Sequence, residues 1–167
     1  MKLNVVLYEP SIIENVGNIA RSCLAFNADL HLIRPFGFIW DKSKLKRSST
    51  NHFDQINYFE YDDWEDFINK NTSDNNVFYY YTRYAKHTPS SIKYDTNKNI
   101  YLVFGNEHYG INKEILKNNL DNCIRIPMSK NIICINISNS VAIALYEVSK
   151  QNDYLDLSLE EVFNKDW

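Results

Sequence analysis

The sequence predicts an α/β domain: a mainly parallel sheet with helices on both faces. Three observations carry that expectation. Short, almost wholly apolar runs recur along the chain, as strands buried on both sides require. Segments with apolar residues at helical spacing lie between them, giving the alternation of strand and crossover helix. The length of 167 residues, with 44% hydrophobic and 23% charged side chains, is that of one ordinary globular domain.

In chain order, Leu3 to Tyr8 reads as a buried strand. Val16, Ile19, Ala20, Cys23 and Leu24 then recur at i, i+3, i+4, i+7 and i+8, the stripe of an amphipathic helix. Leu30 to Ile33 is the second strand and Gln55 to Phe59 the third, followed by a helix from Asp62 to Asn69 opened by acidic residues. Val77 to Thr82, rich in tyrosine, and Ile100 to Phe104 are further strands. A helix at Lys113 to Asn118, a strand at Cys123 to Ile126 and a helix from Ser140 to about Gln151 complete the alternation. No repeat or linker divides the chain, so residues 1–155 read as one domain. Residues 156–167 read as an acidic tail with a helical turn at Leu159 to Phe163.

Composition excludes several functions. Cys23, Cys123 and Cys134 form no CxxC pair and the four histidines are scattered, so neither a disulfide framework nor a metal site is expected. The start is too quickly interrupted by Glu9-Pro10 for a signal peptide, and no apolar run reaches membrane-spanning length, so a cytoplasmic protein without a membrane partner is expected. A net charge of -3 argues against non-specific coating of nucleic acid. It leaves room for a local basic surface, and Lys42, Lys44, Lys46 and Arg47 place four cations within six residues.

Ligands of open parallel sheets collect at the carboxyl ends of the strands, so the loops there are the candidates. After the first strand, Asn18 and Arg21 share the polar face of a helix that also begins with Asn15. A guanidinium beside amides suits a phosphate or ribose, although a capped helix with a surface arginine has the same pattern. After Ile100 to Phe104 come Gly105 and Gly110 bracketing Glu107. This is neither a Rossmann fingerprint nor a P-loop, but glycine there permits close backbone approach to a ligand. The third loop runs from Arg125-Ile126-Pro127-Met128 to Asn136-Ile137-Ser138-Asn139-Ser140. One of Ser138, Asn139 and Ser140 is expected to cap the following helix, and the surplus of polar groups favours a loop that also holds a polar ligand.

The order and spacing of these motifs are more specific than any one of them. Leu7-Tyr8-Glu9-Pro10, Asn15-x-Gly17-Asn18-x-x-Arg21, His31-Leu32-Ile33-x-Pro35-x-Gly37-Phe38-x-Trp40-Asp41 and Leu45-x-Arg47 open the set. Phe104-Gly105-x-Glu107-x-x-Gly110, Arg125-Ile126-Pro127-Met128, Asn136-x-Ser138-Asn139-Ser140-Val141 and Tyr146-Glu147 complete it. Over nearly its whole length the chain resembles the SPOUT superfamily of S-adenosylmethionine-dependent RNA methyltransferases. Within it, the resemblance is to the single-domain tRNA wobble-nucleotide 2'-O-methyltransferases.

That resemblance implies a C-terminal trefoil knot, a homodimer and a tRNA anticodon stem-loop as substrate. It implies an S-adenosylmethionine site touching Tyr80, Tyr81, Gly105, Asn106, Glu107, Ile126, Pro127, Met128, Cys134, Ile135 and Asn136. Asn15, Asn18 and Arg21 would then approach the target ribose, with Tyr146 near the partner subunit, and Lys42, Lys44, Lys46 and Arg47 would meet RNA phosphates. Arg21 would stabilise the developing alkoxide, because a guanidinium donates hydrogen bonds and accepts none. Cys134 stands where a serine is usual, Asn106 where proline is frequent, and His108-Tyr109 replaces a more polar pair. Two other readings stay open: the same chemistry on ribosomal RNA or another tRNA position, and a knotted RNA-binding protein without turnover.

Overall fold

The computed structural model describes residues 1–163. Its centre is a six-stranded sheet with the order β3-β2-β1-β5-β4-β6, in which β1 is Leu3–Tyr8, β2 Ala28–Ile33, β3 Tyr58–Tyr61, β4 Asn76–Tyr81, β5 Asn99–Phe104 and β6 Cys123–Ile124. Every strand pair is parallel. Among the described residues five α-helices accompany the sheet: α1 Ile13–Ala25, α2 Lys42–Ser48, α3 Trp64–Asn71, α4 Lys113–Lys117 and α5 Ile137–Gln151. The chain winds outward through β1, β2 and β3, then crosses to β4 and returns to place β5 against β1. Loops at the carboxyl ends of β1 and β5 therefore leave in opposite directions, which opens a crevice there.

Strand alternation divides the core in two. Leu3, Val5, Leu7, Leu30, Leu32, Ile100 and Leu102 face α1 and α5, whose Val16, Ile19, Ala20, Val141, Ala144 and Leu145 meet them in one cluster. Val6, Ile33, Tyr80, Tyr101 and Val103 point the other way, against Phe67 of α3 and Leu116 of α4. Among these rings His31 is buried with Nδ1 on the Tyr61 hydroxyl at 2.8 Å and Nε2 on Asn4 Oδ1 at 3.1 Å. Burial pushes its pKa down to about 4, so it is a neutral structural residue at physiological pH.

Several expected boundaries move. The third strand is Tyr58–Tyr61 rather than Gln55 to Phe59, because Phe53–Gln55 closes a 3-10 turn first. β6 ends at Ile124, leaving Arg125 to Met128 as loop. The α5 cap is Asn136, not Ser138, Asn139 or Ser140: its Oδ1 accepts from Ser138 N at 2.8 Å and the helix begins at Ile137. The basic run forms a helix that apolar periodicity does not announce, since Leu45 is its one buried residue and Asp41 caps it through Ser43 N and Lys44 N. The stretch Leu159 to Phe163 forms bends instead of a helical turn. No helix among the described residues is long and apolar enough to cross a membrane.

Candidate functional site

A cleft of about 440 Å³ opens at the carboxyl ends of β4, β5 and β6, within the range of ligand pockets. Its floor is Tyr81 at the end of β4, stacked on Phe104 at the end of β5 with centroids 4.8 Å apart. Burial holds the Tyr81 phenol far above its ordinary pKa, and its hydroxyl meets that of Tyr94 at 2.7 Å, so the ring is a neutral wall. Ile126, Met128, Ile135 and Ile12 give the cleft apolar sides, and exposed Cys134 lies at its edge.

One wall is a chain of hydrogen bonds joining three distant loops. Glu107 Oε2 accepts from Ser11 N and Ser11 Oγ, both at 2.8 Å, and Glu107 Oε1 accepts from Asn15 Nδ2 at 2.9 Å. Asn15 Oδ1 in turn accepts from Asn136 Nδ2 at 3.0 Å. Burial raises the carboxyl pKa, but the donors from Asn15 and Ser11 outweigh it and leave Glu107 below the ordinary carboxylate value. It is therefore ionised at neutral pH. These bonds also settle the orientation of the Asn15 amide and leave it one N–H and one lone pair for a ligand.

The loop bearing Glu107 is closed on itself. Asn106 N donates to Gly110 O at 3.2 Å and Gly110 N to Asn106 O at 2.9 Å. A Cβ on Gly105 would lie 2.3 Å from Gly110 C and 2.4 Å from Ile111 N, so only glycine lets this loop fold back. The Asn106 side chain fixes the loop further, donating to Glu9 O and accepting from His108 N at 2.8 Å.

Asn18 and Arg21 follow Asn15 at three-residue steps, forming a slowly turning exposed ridge on α1 outside the cleft. Arg21 Nη1 donates to Thr50 Oγ1 at 3.0 Å. Thr50 has a φ of 55°, an unfavourable conformation for a β-branched residue, and Asn51 follows at 64°. The helix carrying Lys42, Lys44, Lys46 and Arg47 thus ends beside Arg21. It docks on α1 at Gly17, where a Cβ would meet Ser48 Oγ at 1.7 Å. Lys46 pairs with Asp54 at 2.6 Å, while Lys42, Lys44 and Arg47 are exposed. Tyr146, exposed on α5, bonds Tyr154 through the hydroxyls at 3.1 Å and does not reach the cleft.

The fold thus gathers Tyr81, Gly105, Asn106, Glu107, Ile126, Met128, Cys134, Ile135, Asn136 and Asn15 around one cleft. Tyr80 and Pro127 stay out of it. Tyr80 is the strand neighbour of Tyr81 and so faces the opposite layer near Trp64, and Pro127 is exposed. Sequence reasoning missed Ser11 and the loop Thr82-Arg83-Tyr84. The loop had a usable signal, since it directly follows a buried strand. Ser11 had none, because its partner lies 96 residues away. No group of three or more His, Cys, Asp or Glu side chains able to hold a metal occurs among the described residues.

Residues 2–146 match the SpoU rRNA Methylase family. A protein of Geobacillus stearothermophilus, named as a tRNA (cytidine(34)-2'-O)-methyltransferase, is 42% identical over 159 residues, covering 95% of this chain and 100% of its own length. A solved structure from Bacillus anthracis, named as an RNA methyltransferase, superposes with a TM-score of 0.86 at 39% identity, covering 95% of this chain and 99% of its own. Another, described by the 2-OH methylation of C/U34 on tRNA, gives 0.84 at 28% identity and covers 92% and 97%.

Proposed function

Because the chain belongs to the SpoU methylase family of RNA methyltransferases, we propose that it methylates the ribose 2'-hydroxyl of the wobble nucleotide, residue 34, in a tRNA anticodon stem-loop. The observation that carries this reading is the bonded wall of Glu107, Asn15 and Asn136, which joins the cleft to the helix that bears Arg21. S-adenosylmethionine fits the cleft: apolar Ile126, Ile135 and Met128 suit a purine, and ionised Glu107 suits a ligand with a positive centre. When bound, it supplies the methyl group.

The chain's own residues then position the ribose and manage its charge. Asn15, with its amide already oriented, and Asn18 hold the ribose and exclude misaligned approach. Arg21 donates to the 2'-oxygen as negative charge develops and to the neighbouring phosphate. Having no acceptor capacity, it leaves the proton to a phosphate oxygen or water. Lys42, Lys44, Lys46 and Arg47, on the helix next to Arg21, neutralise phosphates of the anticodon arm.

The finer architecture belongs to the same proposal. Gln151 Nε2 donates to Pro89 O at 3.4 Å while α5 packs on α1, so α5 is flanked by two distant segments, as a C-terminal knot requires. Ile143 and Tyr146, exposed on α5, form the face that a second copy would cover in a homodimer. The proposed substrate makes this an enzyme of the cytoplasm.

A second reading, ribose methylation of ribosomal RNA, has the description of the matched family in its favour. Incubating the protein with labelled S-adenosylmethionine, unmodified total tRNA and unmodified ribosomal RNA separates the two. Label mapped to the ribose of tRNA nucleotide 34 is the expected result. Label in ribosomal RNA alone overturns the tRNA assignment, and transfer to neither RNA overturns the reaction.

A further inference from the structure

The loop after β4 carries a feature that the catalytic reading does not use. Thr82 N donates to Ile124 O at 2.9 Å, and Arg125 N donates to His87 O at 2.8 Å. The loop is therefore fastened to the β6 segment at both of its ends, and the Arg125 guanidinium bonds Arg83 O between them. Held out at this point are Arg83 and Tyr84, both exposed and both lining the mouth of the cleft. Tyr84 is 63% exposed although it sits on a fixed loop. The Arg83 guanidinium lies over it, 4.8 Å from the ring centroid, and Arg83 Nη2 donates to the Tyr84 hydroxyl at 2.6 Å.

Resting on the RNA methyltransferase reading, we propose that Arg83 and Tyr84 form a nucleobase-stacking and phosphate-binding subsite for RNA beside the nucleotide being methylated. An aromatic ring with an open face next to a cation is the pairing that takes a splayed-out base and its phosphate. S-adenosylmethionine offers a base and a carboxylate as well, so position decides: Tyr84 stands exposed at the open mouth of the cleft, where RNA arrives. The backbone ties at Thr82 and His87 hold the loop in place and Arg83 rests on the ring, so less ordering is needed when a base stacks on it.

The test measures two affinities in the intact protein. A labelled anticodon stem-loop reports RNA binding by fluorescence anisotropy, and calorimetry with S-adenosylmethionine reports the cofactor cleft. Tyr84→Ala should weaken RNA binding about 10-fold, Tyr84→Phe should retain it, and Arg83→Ala should weaken it and reduce the salt slope by about 1. S-adenosylmethionine affinity should stay within about 2-fold in all three. Unchanged RNA affinity in Tyr84→Ala overturns the subsite, and so does a loss confined to S-adenosylmethionine, which would make Tyr84 part of the cofactor site. Wild-type protein that binds the stem-loop but transfers no methyl group overturns the catalytic reading and leaves the subsite standing. Failure of the wild type to bind RNA overturns both.

Discussion

In the cleft wall the polar side chains hold one another: Ser11 and Asn15 donate to Glu107, and Asn136 holds Asn15 while capping α5. On the ridge formed by α1 and α2, Lys42, Lys44 and Arg47 are exposed, and Arg21 holds Thr50. Folding orients the first region, whereas the second keeps exposed cations without a carboxylate partner at Lys42, Lys44 and Arg47 among the described residues. This contrast is why the proposal puts the small ligand in the preformed cleft and the polyanion on the ridge.

The largest effect is expected at Arg21. Arg21→Lys keeps the charge but loses the planar fork, and should lower single-turnover methylation at least about 100-fold, about 3 kcal/mol, with S-adenosylmethionine affinity unchanged. Near-normal turnover would show that Arg21 is only surface. Gly17→Ala attacks the docking of α2, because its Cβ has no room beside Ser48. It should destabilise the fold by about 1–3 kcal/mol in a denaturant titration and weaken RNA binding. Adding Ser48→Gly should restore much of both, and no restoration would locate the damage elsewhere.

Glu107→Gln tests the other region. It should cost about 1–2 kcal/mol, a figure reduced because the carboxylate is only half buried, and should weaken S-adenosylmethionine binding more than RNA binding. The sign of its pH effect follows from the lowered carboxyl pKa. In the wild type this group contributes stability above the unfolded carboxylate pKa near 4.5, and the contribution is lost as pH falls through the lower folded value. The Gln variant should lack that part of the acid slope. A wild-type slope in the variant would mean that Glu107 is not the group responsible.

The smallest effect is expected at Thr50. Glycine relieves the left-handed conformation but removes the hydroxyl bonded to Arg21. Thr50→Gly should therefore raise stability by about 0.5 kcal/mol while slowing methylation several-fold. Slower methylation with lower stability would point to a general loss of structure instead.

How much of this was legible in the sequence depends on how local each cause is. β1 and β5 were readable because strands buried on both faces leave continuous apolar runs, and β4 because its aromatic and β-branched residues favour a strand although its first half is only partly buried. β3 was misplaced because an edge strand with Phe59 and Glu60 exposed gives no such run. α2 gave no periodic signal with Leu45 alone buried. The α5 cap was ambiguous because Asn136, Ser138, Asn139 and Ser140 are all able to cap within five residues, and only geometry selects Asn136. For the site, the motifs named Asn15, Glu107 and Asn136 individually. Their mutual bonds join residues 92 and 121 positions apart and follow from topology, which periodicity does not encode. The parity of β4, by contrast, was available: two neighbouring tyrosines do not share a face, and Tyr81 alone lines the cleft.

The division between cleft and ridge is tested most directly by measuring S-adenosylmethionine and anticodon stem-loop affinities across a salt series, for the wild type and for Lys46→Glu with Arg47→Glu. Cofactor affinity should be flat in salt and unchanged by the charge reversal, while RNA affinity should fall steeply with salt in the wild type and be weaker, with a shallower slope, in the variant. Equal losses for both ligands, or RNA affinity indifferent to the reversal, would refute that division.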